Sequence, residues 1–116
     1  MRMMLRAVMN TQAGNAAIRD GSIGPSLRQL VDQLHPEAAY FFPEDGRRAC
    51  LMVFDMTDSA QLPVITEQLF LTMGAQVTCV PCMNMDELVR GLSEMQAASA
   101  PQGGDRSRVP DGAGIG

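Results

Sequence analysis

The sequence predicts an α+β domain of ferredoxin-like type: a β-α-β-β-α-β core followed by an extra C-terminal helix. Three observations carry that expectation. Segments with strand character recur four times, at Met1–Met9, Glu37–Phe42, Arg47–Asp55 and Gln76–Cys82. Between them lie stretches whose apolar residues repeat at helical spacing, such as Leu27, Leu30, Val31 and Leu34, or Leu62, Ile65, Leu69 and Met73. The second and third strand segments are joined by Pro43-Glu44-Asp45-Gly46, and Asp-Gly is a strong hairpin signal.

Each element follows from local chemistry. Met1, Met3, Leu5, Ala7 and Met9 alternate with Arg2, Met4, Arg6 and Val8, the period of a strand with a half-apolar second face. Thr11 is a suitable N-cap for a helix over Gln12–Arg19, and Asp20-Gly21 a suitable stop. Gly24-Pro25 restarts the helix, since proline is tolerated in a first turn, and His35-Pro36 ends it. Thr11–Leu34 therefore reads as one helical element, broken or kinked near Gly21–Gly24. Asp58 or Ser59 caps the next helix, which carries Pro63 in its first turns and closes at Gly74. Asn84 with Glu87 is a capping-box variant before a final amphipathic helix bearing Leu88, Val89, Leu92 and Met95. From Ser99 onward, Gly, Pro, Ser, Asp and Arg dominate and periodicity vanishes. The expected organisation is a domain over 1–98 and a disordered Gly/Pro-rich tail over 99–116.

A chain of 116 residues, 46% of them apolar, holds one core without needing staples. Ten Met against four Phe, one Tyr and no Trp make an adaptable interior rather than one anchored on aromatic rings. The net charge is −4 and every basic residue is a scattered Arg, with only Arg47-Arg48 adjacent. No basic patch exists to displace counterions, so neither nucleic acid nor an anionic membrane surface is an expected partner. No run approaches the ~20 apolar residues of a membrane-spanning helix. The N-terminal Met-Arg-Met-Met-Leu-Arg is too charged for a signal peptide, and three cysteines, an odd number, fit a reducing compartment. The expected location is cytoplasmic.

Four strands with helices on one face leave the other sheet face in need of cover. A second copy packed sheet against sheet is the economical answer, so a homodimer is expected. The chain also resembles a family of short bacterial proteins of uncharacterised function within the dimeric α/β-barrel class. The matching segments are Thr11-Gln12-Ala13-Gly14-Asn15, Pro36-Glu37-Ala38-Ala39-Tyr40-Phe41, Val53-Phe54-Asp55-Met56-Thr57-Asp58-Ser59 and Pro81-Cys82-Met83-Asn84. The resemblance implies the fold and a dimeric α/β-barrel assembly, and brings no established reaction. Its wider class includes monooxygenases, isomerases and cyclases, and fold does not fix function.

The candidate site residues are few. Arg6, mid-strand inside a dimer's sheet-to-sheet space, needs Asp55, Glu37 or an anionic ligand as partner, and is the expected ligand-binding cation. Tyr40 is the sole tyrosine and lies on an adjacent part of the sheet. Asp55 ends an apolar strand and suits either a desolvated general base or a helix cap; Asp58 suits a cap. His35 is the only histidine, hence a candidate acid–base group, although a helix terminus also favours it. Asp55, Tyr40 and His35 are thus the candidate catalytic groups. Glu67 reads as surface, and Gly14-Asn15 lacks the glycine pattern of a phosphate loop. Cys79-Val80-Pro81-Cys82 has redox spacing but falls on a strand end rather than a helix N-terminus, so buried apolar filler is the simpler reading. Cys50, Cys79, Cys82 and His35 do not show paired zinc spacing, so no metal is expected. No Rossmann, Walker or flavin fingerprint calls for a cofactor. The functional expectation is a homodimer that binds a small hydrophobic molecule and, if catalytic, runs a cofactor-free isomerase, cyclase or oxygenase-like step. The alternatives are a non-catalytic interaction module and, more distantly, a thiol redox protein using Cys79 and Cys82.

Overall fold

Strand and helix segments alternate as the sequence dictates: β1 (Arg2–Val8), α1 (Thr11–Arg19), α2 (Ile23–Leu34), β2 (Ala38–Glu44), β3 (Arg47–Asp55), α3 (Gln61–Met73), β4 (Gln76–Pro81) and α4 (Met85–Ser99). The structure, a computed structural model, describes residues 1–99, and the expected tail over 99–116 lies outside them but for Ser99. The strands form one sheet in the order β2-β3-β1-β4, every neighbouring pair antiparallel. That order on a β-α-β-β-α-β chain is the ferredoxin-like arrangement.

Strand alternation sorts the side chains into two faces. Met3, Leu5 and Ala7 of β1 stand opposite Phe54, Met52 and Cys50 of β3, and all six are buried. Leu30 and Leu34 of α2 and Ile65, Leu69 and Met73 of α3 close over them, so one sheet face and the helices share the core. Met3, Met52 and Met73 are part of it, in keeping with a core of adaptable side chains.

The element ends differ from the sequence reading in instructive ways. Asn10, not Thr11, caps α1: its Oδ1 accepts from the Ala13 N–H at 2.9 Å, and Thr11 is already helical. The expected break resolves into two separate helices, and α2 starts at Ile23 with Gly24 and Pro25 inside its first turn. Asp20 Oδ1 accepts from the Ser22 N–H at 2.8 Å between them, and hydrogen bonding to Ser22 holds that carboxyl below its usual range. Ala60 occupies the N-cap of α3, because Asp58 Oδ1 is spent on the Ala60 N–H and Gln61 Oε1 turns back to the Thr57 N–H.

The hairpin loop is shorter than its composition suggests. Pro43 and Glu44 belong to β2, and only Asp45 and Gly46 turn the chain, with φ of 50° and 77°. Two positive φ values define a type I′ turn, and β2 is an edge strand, where proline costs no ladder bond. Replacing Gly46 by Ala forces a Cβ into the left-handed region; urea unfolding should show a loss of about 1 kcal/mol.

A second unit follows the core, which spans Met1–Cys82. Its described element is α4, where Asn84 Oδ1 accepts from the Glu87 N–H at 2.8 Å and Glu87 Oε1 from the Asn84 N–H at 2.9 Å. The capping box is formed as the sequence reading expects. Leu88, Val89, Leu92 and Met95 are exposed along this helix.

Candidate functional site

The sheet face opposite the helices carries the first set of candidates. Register places Tyr40 of β2, Leu51 of β3, Arg6 of β1 and Thr78 of β4 in one row across the sheet. Arg6 and Tyr40 therefore do share a face, with Leu51 between them. The next row holds Ala38, Val53, Met4 and Val80. Together these rows give the face an apolar centre on which Tyr40 is 67% exposed.

Ion pairs bracket that centre. Arg6 donates from Nε to Glu44 Oε1 at 3.0 Å and pairs with the second carboxylate oxygen through Nη2. By register this pair reaches across the row Phe42–Ala49–Val8, of which Ala49 and Val8 are buried. At the other end Arg2 Nε donates to Glu37 Oε1 at 2.8 Å. Of the partners the sequence offered for Arg6, neither Asp55 nor Glu37 is used. Glu44 takes the role because the short turn makes it a strand residue on the same face.

Asp55 and His35 stand elsewhere. Asp55 ends β3 opposite Arg2, is 71% exposed, and accepts from the N-terminal ammonium of Met1 at 2.8 Å. It stands in water, without the desolvation that a buried general base needs. His35 closes α2 in the left-handed conformation at φ 46°, its N–H bonded to the Val31 carbonyl. The two residues line one cavity of about 260 Å³ with Thr57 and Gln61. The candidates thus fall into two places: Arg6 with Tyr40 on the open face, and His35 with Asp55 at the end of β3.

A larger concavity escaped sequence reasoning. Between the α1–α2 pair and the β2–β3 hairpin lies a groove of about 570 Å³, whose apolar walls include Ile18, Ile23, Leu27 and Phe41. Arg48 crosses it, half-buried, with Nη1 donating to Asn15 Oδ1 at 3.0 Å. The guanidinium lies against α1 at Gly14, where a Cβ would come within 2.7 Å of Nη1. A smaller hollow of about 300 Å³ shares Leu27 and Phe41 with it and adds Arg28. The signal available in the sequence was the adjacent pair Arg47-Arg48; the walls come from four separate segments that only the fold brings together.

The thiols are free. Cys79 faces the core beside Leu5, and Cys82 lies past the end of β4, its N–H bonded to the Arg2 carbonyl. Burial pushes the Cys50 and Cys79 thiols above their usual pKa. An acid whose pKa is raised in the folded state contributes stability that is whole below the unfolded value, about 8.5, and is lost as pH climbs beyond it. Stability should therefore decline above pH ~8.5, and alkylation at pH 7.5 should modify Cys82 first and Cys50 last. Rapid labelling of Cys50 in the folded protein would contradict the burial. No group of three or more His, Cys, Asp or Glu side chains is placed to hold a metal among the described residues.

The strand order, with α2 and α3 over one sheet face, defines a ferredoxin-like α+β domain. No helix among the described residues is long and apolar enough to cross a membrane. No family model matches the chain, and no curated protein matches it in sequence. Among solved structures, the de novo designed protein Ferredog-Diesel is similar at 12% identity and a TM-score of 0.44, over 70% of this chain and 85% of the designed one. The fold assignment rests on this chain's own strand order and register.

Proposed function

We propose that the protein is a homodimer, formed through the open sheet face, that binds a small hydrophobic molecule in the groove between its helices and the β2–β3 hairpin. The observation that carries the dimer is the composition of that face: an apolar centre at Met4, Tyr40, Leu51, Val53 and Val80, flanked by charges already paired within the chain. A two-fold contact brings each patch against its own copy. Such a contact requires that the patch not repel itself, and the Arg6–Glu44 and Arg2–Glu37 pairs meet that requirement. A stack of two such sheets is the dimeric α/β-barrel assembly that the sequence analysis expects.

Binding is the function the geometry supports better than proton transfer. Arg6 is neutralised by Glu44, and Tyr40 shares its row without an acid–base partner beside it. A cofactor-free reaction would have to use the His35–Asp55 cleft, whose groups stand in solvent. Free thiols fit a cytoplasmic setting, the location we assign. Native mass spectrometry at micromolar concentration tests the dimer: twice the chain mass is expected, and a monomer removes the reading.

A further inference from the structure

We infer that the groove between α1–α2 and the β2–β3 hairpin is selective for small organic acids, holding an apolar body against Phe41 and Leu27 and a carboxylate at Arg48. This rests on the binding function proposed above and specifies its ligand class.

The charge distribution argues for it. The protein carries −4 overall, yet the groove lining includes Arg47 and Arg48 and no Asp or Glu. The adjoining hollow adds Arg28, again without an acid. Among the described arginines, Arg2, Arg6 and Arg90 each have a carboxylate partner, and Arg19, Arg28, Arg47 and Arg48 do not. Arg48 instead bonds the neutral Asn15, so its positive charge is uncompensated in a half-buried, largely apolar setting. A guanidinium held this way retains N–H donors in the fork geometry that carboxylates match.

The fold also fixes where that charge stands. Arg48 points from β3 toward α1 and packs on the bare backbone of Gly14, while Asn15 orients Nη1. The remaining groove wall is aliphatic or aromatic, with Phe41 52% exposed on the helix side of edge strand β2. An exposed aromatic ring beside an unpaired guanidinium suits a flat apolar acid, whereas an apolar amine would meet like charge.

The test is a matched set of probes titrated into the full-length protein by calorimetry or ligand fluorescence at pH 7: 2-naphthoate, neutral 2-naphthol and cationic 2-naphthylmethylamine. The acid is expected to bind about tenfold more tightly than the neutral compound, the amine weakest, with the preference shrinking as salt rises. Arg48→Gln should remove the acid's advantage, bringing its affinity down to that of naphthol. Phe41→Ser, at an exposed position that leaves the core intact, should weaken both. Equal binding of acid and alcohol, untouched by Arg48→Gln, overturns the acid selectivity while leaving a binding groove. Absence of binding by all three overturns the groove itself, and with it the ligand half of the proposed function.

Discussion

Leu51→Glu should convert the proposed dimer to a monomer with little loss of fold. Leu51 sits in the row Tyr40–Leu51–Arg6–Thr78, at the centre of the open face, and is only half-buried within the chain. A carboxylate there is hydrated in the monomer, so the isolated domain tolerates it. In the proposed sheet-to-sheet dimer this position falls within the interface, and two-fold symmetry adds a carboxylate from each copy to the apolar centre. Desolvating an unpaired charge costs several kcal/mol, and each ~1.4 kcal/mol is tenfold in affinity. A weakening of at least about a hundredfold is therefore expected. Sedimentation velocity across a concentration series measures it, with circular dichroism showing that the fold persists. An unchanged association constant would mean that some other surface joins the copies.

Leu5→Ala acts on the opposite face and should destabilise the fold itself. Leu5 has no exposed surface and lies opposite Met52, also fully buried, beneath the helices. Truncation removes apolar contact and leaves a cavity in a close-packed interior, which costs roughly 2–5 kcal/mol. For a domain whose whole stability is of order 5–15 kcal/mol this is a large fraction. A fall in Tm on the order of 10–20 °C is expected in a thermal melt. The methionines surrounding the site, Met3 and Met52 among them, relax more readily than branched side chains, which places the cost toward the lower end of that range. A change under ~1 kcal/mol would contradict the packing described for β1.

The two substitutions lie on one β2-to-β4 sheet, yet they test different faces, and this division was legible in the sequence. The alternation of Met3, Leu5 and Ala7 against Arg2, Met4 and Arg6 is a backbone property, independent of tertiary detail. The helix stop at His35, the left-handed Gly74 and the Asn84–Glu87 box were likewise local chemistry, and local reasoning found them.

What failed did so where tertiary context decides. The sequence reading places Pro43-Glu44 with Asp45-Gly46 in the connection between strands, whereas both belong to β2; proline is tolerated there because β2 is an edge strand, which only the strand order reveals. With Glu44 placed in a loop, the sequence offers Arg6 only Asp55, Glu37 or an anionic ligand as partner, whereas the strand brings Glu44 to it. Asp55 and Arg6 share a sheet face but lie toward different ends of it, because Asp55 pairs in register with Arg2. The groove was least legible of all. Asn15, Leu27, Phe41 and Arg48 are far apart in sequence, and nothing in their spacing marks them as neighbours.

The proposed dimer joins two copies through the open sheet face. Its most direct test is an isotope-filtered nuclear Overhauser measurement on a mixture of labelled and unlabelled protein, which reports only contacts between chains. Intermolecular contacts are expected from the Met4, Leu51 and Val53 methyl groups and the Tyr40 ring. Contacts confined to α4 or to the helix side of the core, with none from these four residues, would contradict it.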